Sequence, residues 1–147
     1  MKDFKQTLDV FFDAYAARTN DALAGKQPDV SGVTNSFAGC FVEASPKGII
    51  CGQNNDEFRE GIPKGYDFYK SIGTKSMDII HKEITLLDDM HAMVKIHWVA
   101  RHKKKDGTAV DIEFDVFYFV QELDKGPRIF AYVTGDEQKA HKENGLI

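Results

Sequence analysis

Long apolar runs and an apolar amino terminus are both missing from this sequence. No stretch approaches the roughly 20 apolar residues that a membrane helix needs. The opening segment MKDFKQTLDVFF carries charges where a signal peptide would be apolar. The sequence therefore predicts a cytoplasmic protein with no membrane partner.

Cysteine is scarce, and the motifs of metal and nucleotide sites are absent. The two cysteines, Cys40 and Cys51, have no metal-type spacing, and thiols in a cytoplasmic chain usually stay reduced. The glycines are scattered and form no phosphate-binding loop. Four histidines lack the HxH or HExxH spacing of ligands, namely His81, His91, His102 and His141. We therefore expect no disulfide, no metal and no cofactor.

The charge of the chain is low and mixed in sign. The formal net charge is −4, with acidic and basic residues interspersed, so neither nucleic acid nor an anionic membrane is the expected partner. The basic run from Arg101 to Lys105 falls at a predicted hairpin tip and is interpreted as solubilising. With 147 residues, 42% of them hydrophobic and 12% aromatic, the chain predicts one domain, residues 1–147, with a sizeable core.

Helical spacing dominates the first half of the sequence. Phe4, Leu8 and Tyr15 share one face of an amino-terminal helix. DVSGVTNSF predicts a capped helical turn, and FAGCFVEASPKGIICG predicts a small hairpin. A second helix follows in DEFREGIPKGYDFYKSIG, where Pro63 and Gly65 predict a kink or a break into two short helices.

Strand alternation replaces helical spacing from Lys75 onward. Four long alternating segments are separated by the short turns DDM, KKKDG and DKG, which require antiparallel neighbours. The segment GDEQKAHKENG then predicts a short closing helix that ends at Gly145. The expected order is helix, hairpin, helix, four-stranded meander and helix.

Turn chemistry predicts the register of this meander. KDG fits a three-residue loop with Gly107 in the left-handed conformation, which sets Lys104 opposite Thr108. The same reasoning at DKG sets Leu123 opposite Pro127. The pairs that follow are Arg101 with Asp111, Val99 with Glu113, His97 with Asp115, Phe119 with Ala131, and Phe117 with Val133.

This register sorts the strand residues onto two largely apolar faces. One face is expected to be buried and carries Val94, Ile96, Trp98, Phe114, Val116, Tyr118, Phe130 and Tyr132. The other grades from charged to apolar and carries His97, Val99, Glu113, Asp115, Phe117, Phe119, Ala131 and Val133. Since the helices can cover only one face, the second predicts a homodimer formed through the sheet.

Several segments together resemble a known family. They are FFDAYAARTNDAL, the helix end FYKSIG, and HAMVKIHWVAR followed by FDVFYFVQELDKGPRIFAYVTGDE. This pattern resembles the nuclear transport factor two-like superfamily, in particular its SnoaL-like branch. The resemblance implies an α+β fold in which a strongly curved antiparallel sheet wraps around amino-terminal helices as a cone with an internal pocket, usually in a dimer. It also implies that Asp115 of FDVF lies where SnoaL-like proteins keep a pocket aspartate.

Two functions remain open from the residues. A carboxylate at the edge of an aromatic cavity has a raised proton affinity, so Asp115 with His97 could act as a general acid/base pair, with Tyr15 or Tyr66 donating to an enolate. The pair could equally be a structural cross-strand contact. We therefore predict a dimeric protein that binds a small apolar molecule, or alternatively a cofactor-independent isomerase, dehydratase or cyclase acting on a hydrophobic carbonyl compound. The expected ligand-binding residues are Tyr15, Tyr66, Val99, Phe117 and Phe119.

Overall fold

Residues 3–147 form four helices and six strands. The structure, a computed structural model, describes residues 3–147, so Met1 and Lys2 of the predicted domain lie outside the described residues. The helices are α1 (Phe4–Leu23), α2 (Val30–Thr34), α3 (Asp56–Ser71) and α4 (Glu137–Glu143). The strands are β1 (Phe37–Ser45), β2 (Gly48–Gln53), β3 (Thr74–Leu86), β4 (His91–Lys103), β5 (Ala109–Leu123) and β6 (Gly126–Val133). The predicted order of elements and the α+β class are confirmed.

All six strands belong to one curved sheet, in the order β2-β1-β6-β5-β4-β3. Neighbours pair antiparallel except β1 and β6, which are parallel. That parallel pairing joins the amino-terminal hairpin to the meander, a long-range contact that the sequence did not predict. Two bulges in β3 and one in β6 help the sheet to bend around α1.

Side-chain caps begin the helices where the sequence changes from turn to helix. Asp3, Asn55 and Asp136 each accept a hydrogen bond from a first-turn amide of α1, α3 and α4, respectively. The helix α1 then buries Leu8 and Phe12 completely against the sheet. Since burying each such side chain contributes about 1.5–3 kcal/mol, these contacts hold α1 on the concave face.

The predicted register of β4 and β5 is confirmed. Lys104 donates its backbone N–H to Thr108 across the turn, and Gly107 has a φ of 89°, in the left-handed region. Along the strands, His97 lies opposite Asp115 and Arg101 lies opposite Asp111.

The register of β5 and β6 is correct at one end and wrong at the other. Phe119 pairs with Ala131 as predicted, but Leu123 pairs with Gly126 rather than Pro127. The pairing shifts beyond Phe119 because Phe130 is an extra residue in β6. Phe130 therefore lies on the outer face beside Phe119, with ring centroids 6.2 Å apart, and not on the buried face as predicted.

The helix α3 corrects one of the two alternatives predicted for it, the break into two short helices. It runs without interruption through Pro63 and Gly65 and is not divided into two short helices. Proline removes one N–H from the helix interior, but the remaining turns keep theirs, and the Asn55 cap and an acidic first turn support its start.

Two further structural observations concern membrane-spanning helices and the two cysteines. Within residues 3–147, no helix is long and apolar enough to span a membrane. Cys40 and Cys51 are free and exposed.

Candidate functional site

The concave face of the sheet and the helices α1, α3 and α4 line a partly open cavity of about 490 Å³. This volume lies within the range of pockets that hold drug-sized ligands. The aromatic residues of its wall are Tyr15, Phe37, Tyr66, Tyr69, Trp98, Phe114, Tyr118 and Tyr132. The lining also includes six acidic or histidine residues, namely Glu43, His102, Glu113, Asp136, Glu137 and His141.

Strand alternation supplies one half of the aromatic wall. Trp98 on β4 and Tyr118 on β5 point to the concave side and are 4% and 5% exposed. Tyr15 of α1 meets both, with ring centroids 6.2 Å from Trp98 and 6.0 Å from Tyr118. The interlocked rings form a rigid apolar floor for the cavity.

His102 brings a polar atom to the inner wall of the cavity. Its side chain is 3% exposed, and its Nδ1 lies 2.9 Å from the hydroxyl of Thr74. Its Nε2 is buried and has no hydrogen-bond partner among residues 3–147. Burial, followed by the neighbouring imidazole of His141, lowers the pKa of His102, so the ring is neutral near pH 7. A neutral imidazole with one free nitrogen can bind or deprotonate a ligand.

Trp98 has a second buried nitrogen that lacks a hydrogen-bond partner among the described residues. Its indole Nε1 is a donor only, and among the described residues it has no acceptor. An unsatisfied buried donor costs about 1–3 kcal/mol, which a ligand oxygen could offset. The wall is thus apolar over most of its area, and two of its buried nitrogens have no hydrogen-bond partner among the described residues.

Two tyrosine–glutamate pairs line the side of the cavity next to β6 and α4. The hydroxyl of Tyr69 donates to Oε1 of Glu137 at 2.5 Å, linking α3 to α4. Burial, followed by the charge of Glu137, raises the pKa of Tyr69. Burial and then the charge of Glu43 likewise raise the pKa of Tyr132. Both hydroxyls therefore stay protonated at neutral pH and remain donors.

The predicted ligand-binding tyrosines both line the cavity. Tyr15 projects from α1 and Tyr66 from α3. Burial raises the pKa of Tyr15 to about 12, and burial also raises the pKa of Tyr66. Each can therefore donate a hydrogen bond to a ligand, but neither ionises at physiological pH.

The predicted acid/base pair lies on the opposite face of the sheet. His97 Nδ1 is 2.7 Å from Asp115 Oδ1, and His97 Nε2 is 2.8 Å from Glu113 Oε1. The side chains are 33%, 41% and 61% exposed for His97, Asp115 and Glu113. The contact between His97 and Asp115 is as predicted. The predicted position of this pair at the cavity is wrong.

The other three predicted ligand-binding residues share that outer face. Phe117 is half-buried beneath the ammonium of Lys95, which lies 5.6 Å from the ring centroid, and Phe119 stacks beside Phe130. Val99 is 4% exposed and pairs with Glu113. Val99, Phe117 and Phe119 do not line the cavity.

The mistake came from choosing the wrong face of a correctly aligned sheet. The face with Trp98 and Tyr118 was interpreted as solid core, yet the helices cover only part of it and leave the cavity over the rest. The same alternation that placed Trp98 inward also places His102 inward, so a signal for His102 was present in the sequence. Glu137 and His141 are four residues apart on α4, but Glu43 comes from β1, and no local pattern could bring it to them.

A metal is not suggested by the side chains. Across residues 3–147 there is no group of three or more His, Cys, Asp or Glu residues arranged to hold one. The outer group of His97 with Asp115 and Glu113 uses both ring nitrogens for carboxylates, so neither is free for a ligand bond.

Solved structures share this fold at low sequence identity. An NTF-2-like protein of unknown function from Shewanella oneidensis MR-1 is 17% identical with a TM-score of 0.65, covering 90% of this chain and 98% of its own. An NTF2-like protein with a cystatin-like fold from Novosphingobium aromaticivorans is 10% identical with a TM-score of 0.69, covering 97% and 88%. A ketosteroid isomerase-like protein from Erwinia carotovora atroseptica is 14% identical with a TM-score of 0.57, covering 90% and 92%.

Two sequence comparisons were made, and the one with family models agrees with the structural likeness. A search among curated proteins found no match. A family model described as NTF2-like protein (DUF6841) matches residues 5–137, which is most of the chain. The chain therefore belongs to this NTF2-like family.

Proposed function

We propose that this protein binds a small, largely apolar molecule in the cavity between the concave face of the sheet and the helices. The observation that carries the proposal is the free Nε2 of His102 at the wall of a 490 Å³ aromatic cavity. Buried polar atoms in folded proteins almost always have partners. A ligand that inserts a polar group beside His102 and Trp98 would supply the missing hydrogen bonds.

A neutral fluorescent probe tests binding directly. Prodan, a naphthalene ketone, has an apolar body and one carbonyl acceptor, and its emission shifts to the blue in an apolar site. We expect saturable binding in the micromolar range, with energy transfer from Trp98, the only tryptophan of the chain.

A substitution that fills the cavity, compared with the same substitution outside it, tests where the probe binds. Ala100 is 4% exposed and lines the cavity, so Ala100→Phe should weaken prodan binding at least ~tenfold, which is ~1.4 kcal/mol. Ala109→Phe adds the same ring at an exposed position of β5 and should bind prodan normally. Undetectable binding by the unmodified protein, or equal loss in both variants, would contradict the proposal.

A second candidate function is acid/base catalysis on a hydrophobic carbonyl compound. A specific observation favours it, because His102 is a neutral base with a free nitrogen beside a second buried imidazole, His141, whose ring centroid is 5.9 Å away. In this candidate His102 takes the role of the base that the sequence analysis gave to Asp115 with His97. The catalytic role of Asp115 and His97 stays a prediction, and the pair lies on the face of the sheet opposite the cavity. The SnoaL-like kinship inferred from sequence also stays a prediction.

Proton exchange separates the binding protein from the catalyst. The protein would be incubated with the hydrophobic ketone tetralone in D₂O, and deuterium uptake next to the carbonyl would be followed by NMR. A catalyst should accelerate exchange, and His102→Gln should remove the acceleration while Asp115→Asn keeps it. Exchange no faster than in buffer would support the binding protein alone.

We further propose a homodimer formed through the outer face of the sheet. Phe119 and Phe130 stack there beside Val133, which is 43% exposed, and Val42, which is 37% exposed. A contiguous apolar surface of this kind on a folded protein usually marks an interface. A second copy of the chain presents the same surface, so an isologous contact would cover both.

A further inference from the structure

The charges around the cavity are unbalanced. Its lining includes Glu43, Glu113, Asp136 and Glu137, but no lysine or arginine of the described residues, and the carboxylate of Glu113 is bound to His97. The ammonium of Lys47 lies 3.8 Å from Asp136 and compensates that carboxylate from outside the lining. Glu43 and Glu137 form no ion pair with a lysine or arginine anywhere in residues 3–147.

Each of these two glutamates is already oriented by a tyrosine. Tyr69 donates to Glu137 at 2.5 Å, and Glu43 interacts with the hydroxyl of Tyr132. A carboxylate accepts up to about four hydrogen bonds, so each retains acceptor sites for a ligand. The tyrosine rings beside them present π faces, which attract cations within about 6 Å of the ring centroid.

His102 adds no positive charge to this wall at neutral pH. His102 is neutral because its pKa is lowered, and His141 is 4% exposed with its Nε2 3.9 Å from Glu137. Arg18 does not line the cavity, and its guanidinium donates to Ser36 at 2.8 Å. The side of the cavity formed by β1, β6 and α4 is therefore the acidic one.

From this charge distribution, we infer that the ligand is a hydrophobic organic amine whose ammonium group lies between Glu43 and Glu137. This inference rests on the proposed function and names the chemical class of its ligand. The apolar body would occupy the aromatic interior near Phe37 and Tyr118, and a second polar group of the ligand would meet the nitrogens of Trp98 and His102. The free nitrogens of Trp98 and His102 are a separate sign that the interior receives a ligand and is not simply an acidic surface.

Three probes with one body and different charges test the inference. Naphthylethylamine, naphthylethanol and naphthylacetate carry an ammonium, a hydroxyl and a carboxylate on the same naphthalene ring, and isothermal titration calorimetry would measure each dissociation constant. We expect the amine to bind at least ~tenfold tighter than the alcohol, a difference of ~1.4 kcal/mol, and the carboxylate to bind most weakly. Added salt should weaken only the amine appreciably.

Variants assign the preference to the two glutamates. Glu137→Gln and Glu43→Gln should each reduce the advantage of the amine over the alcohol severalfold and leave alcohol binding unchanged. Glu143→Gln is the matched control, because Glu143 is on the same helix as Glu137 but faces Lys139 at 3.8 Å and does not line the cavity.

The outcomes of these titrations separate the two proposals. Alcohol binding as tight as amine binding, or carboxylate binding the tightest, would overturn the amine inference and leave the binding function intact. Equal effects of Glu137→Gln and Glu143→Gln would overturn the amine inference in the same way. If none of the three probes binds, the proposed function itself is contradicted.

Discussion

His97 and His102 lie on the same strand, β4, but on opposite faces of the sheet, and their titration shifts in opposite directions. His97 is partly exposed between Glu113 and Asp115, and hydrogen bonds to Glu113 and then Asp115 raise its pKa. His102 is 3% exposed, and burial lowers its pKa. The two residues show that side-chain environment, and not residue type or strand, determines the chemistry.

The comparison also separates two roles of the sheet. The outer histidine has both nitrogens occupied by carboxylates, as in a structural network, while the inner one keeps a free nitrogen toward the cavity wall. An exposed ion pair of the outer kind contributes little to stability. Function is therefore better sought on the concave face.

The largest expected effect comes from placing a charge on the concave face. Val116 is 5% exposed, so Val116→Asp should lose about 3–5 kcal/mol of unfolding free energy, through lost apolar burial and a buried unpaired carboxylate. Urea denaturation followed by circular dichroism measures this. Val10→Asp, on an exposed part of α1 with Val10 57% exposed, should change stability by less than about 0.5 kcal/mol. Similar losses in both variants would refute the assignment of Val116 to the core.

A charge on the outer face should affect association instead of folding. Val133→Asp is expected to weaken the proposed homodimer by about 2 kcal/mol or more, because it introduces a carboxylate on each side of an isologous contact. Light scattering coupled to size-exclusion chromatography would show a dimer for the unmodified chain and for Val10→Asp, and a monomer for Val133→Asp. A monomeric unmodified protein would contradict the dimer proposal outright.

The smallest expected effect is a pair of pKa shifts, upward for His97 and downward for His102. NMR should find the pKa of His97 above its ordinary value of 6.5 and the pKa of His102 below 6.5. The contribution of His97 to stability is then present below 6.5 and is lost as the pH rises through its folded pKa. The contribution of His102 is present above 6.5 and is lost as the pH falls through its folded pKa.

A single substitution distinguishes these two titrations. Asp115→Asn removes one of the carboxylates that hold His97, so the pKa of His97 should fall toward 6.5 while that of His102 stays where it was. A shift of both histidines, or of neither, would show that their environments are not independent as the structure implies.

The sequence predicted the elements and most of the meander, because short turns and strand alternation are local. Gly107 determines the register of β4 and β5, and the contact between His97 and Asp115 follows from it. The parallel pairing of β1 with β6 and the bulge at Phe130 depend on contacts far apart in the chain, and neither was predicted.

The candidate site was predicted only in part for the same reason. Tyr15 and Tyr66, predicted from helical spacing to face the sheet, line the cavity, and their role in ligand binding stays a prediction. The face of the sheet that opens into a cavity depends on how far α3 and α4 stand from it, which no periodicity records. Asp115 was therefore assigned to the wrong side, and His102 was overlooked.

The extra residue in β6 has a geometric consequence for the cavity. In a regular strand, two residues three positions apart point to opposite sides, yet Ile129 is fully buried in the core and Tyr132 lines the cavity on the same side. The bulge at Phe130 adds one residue to β6 and so shifts the alternation of its side chains by one position. Ile129 can therefore pack in the core while Tyr132 forms part of the cavity wall. Deleting Phe130 would restore regular alternation and turn either Ile129 or Tyr132 away from the interior.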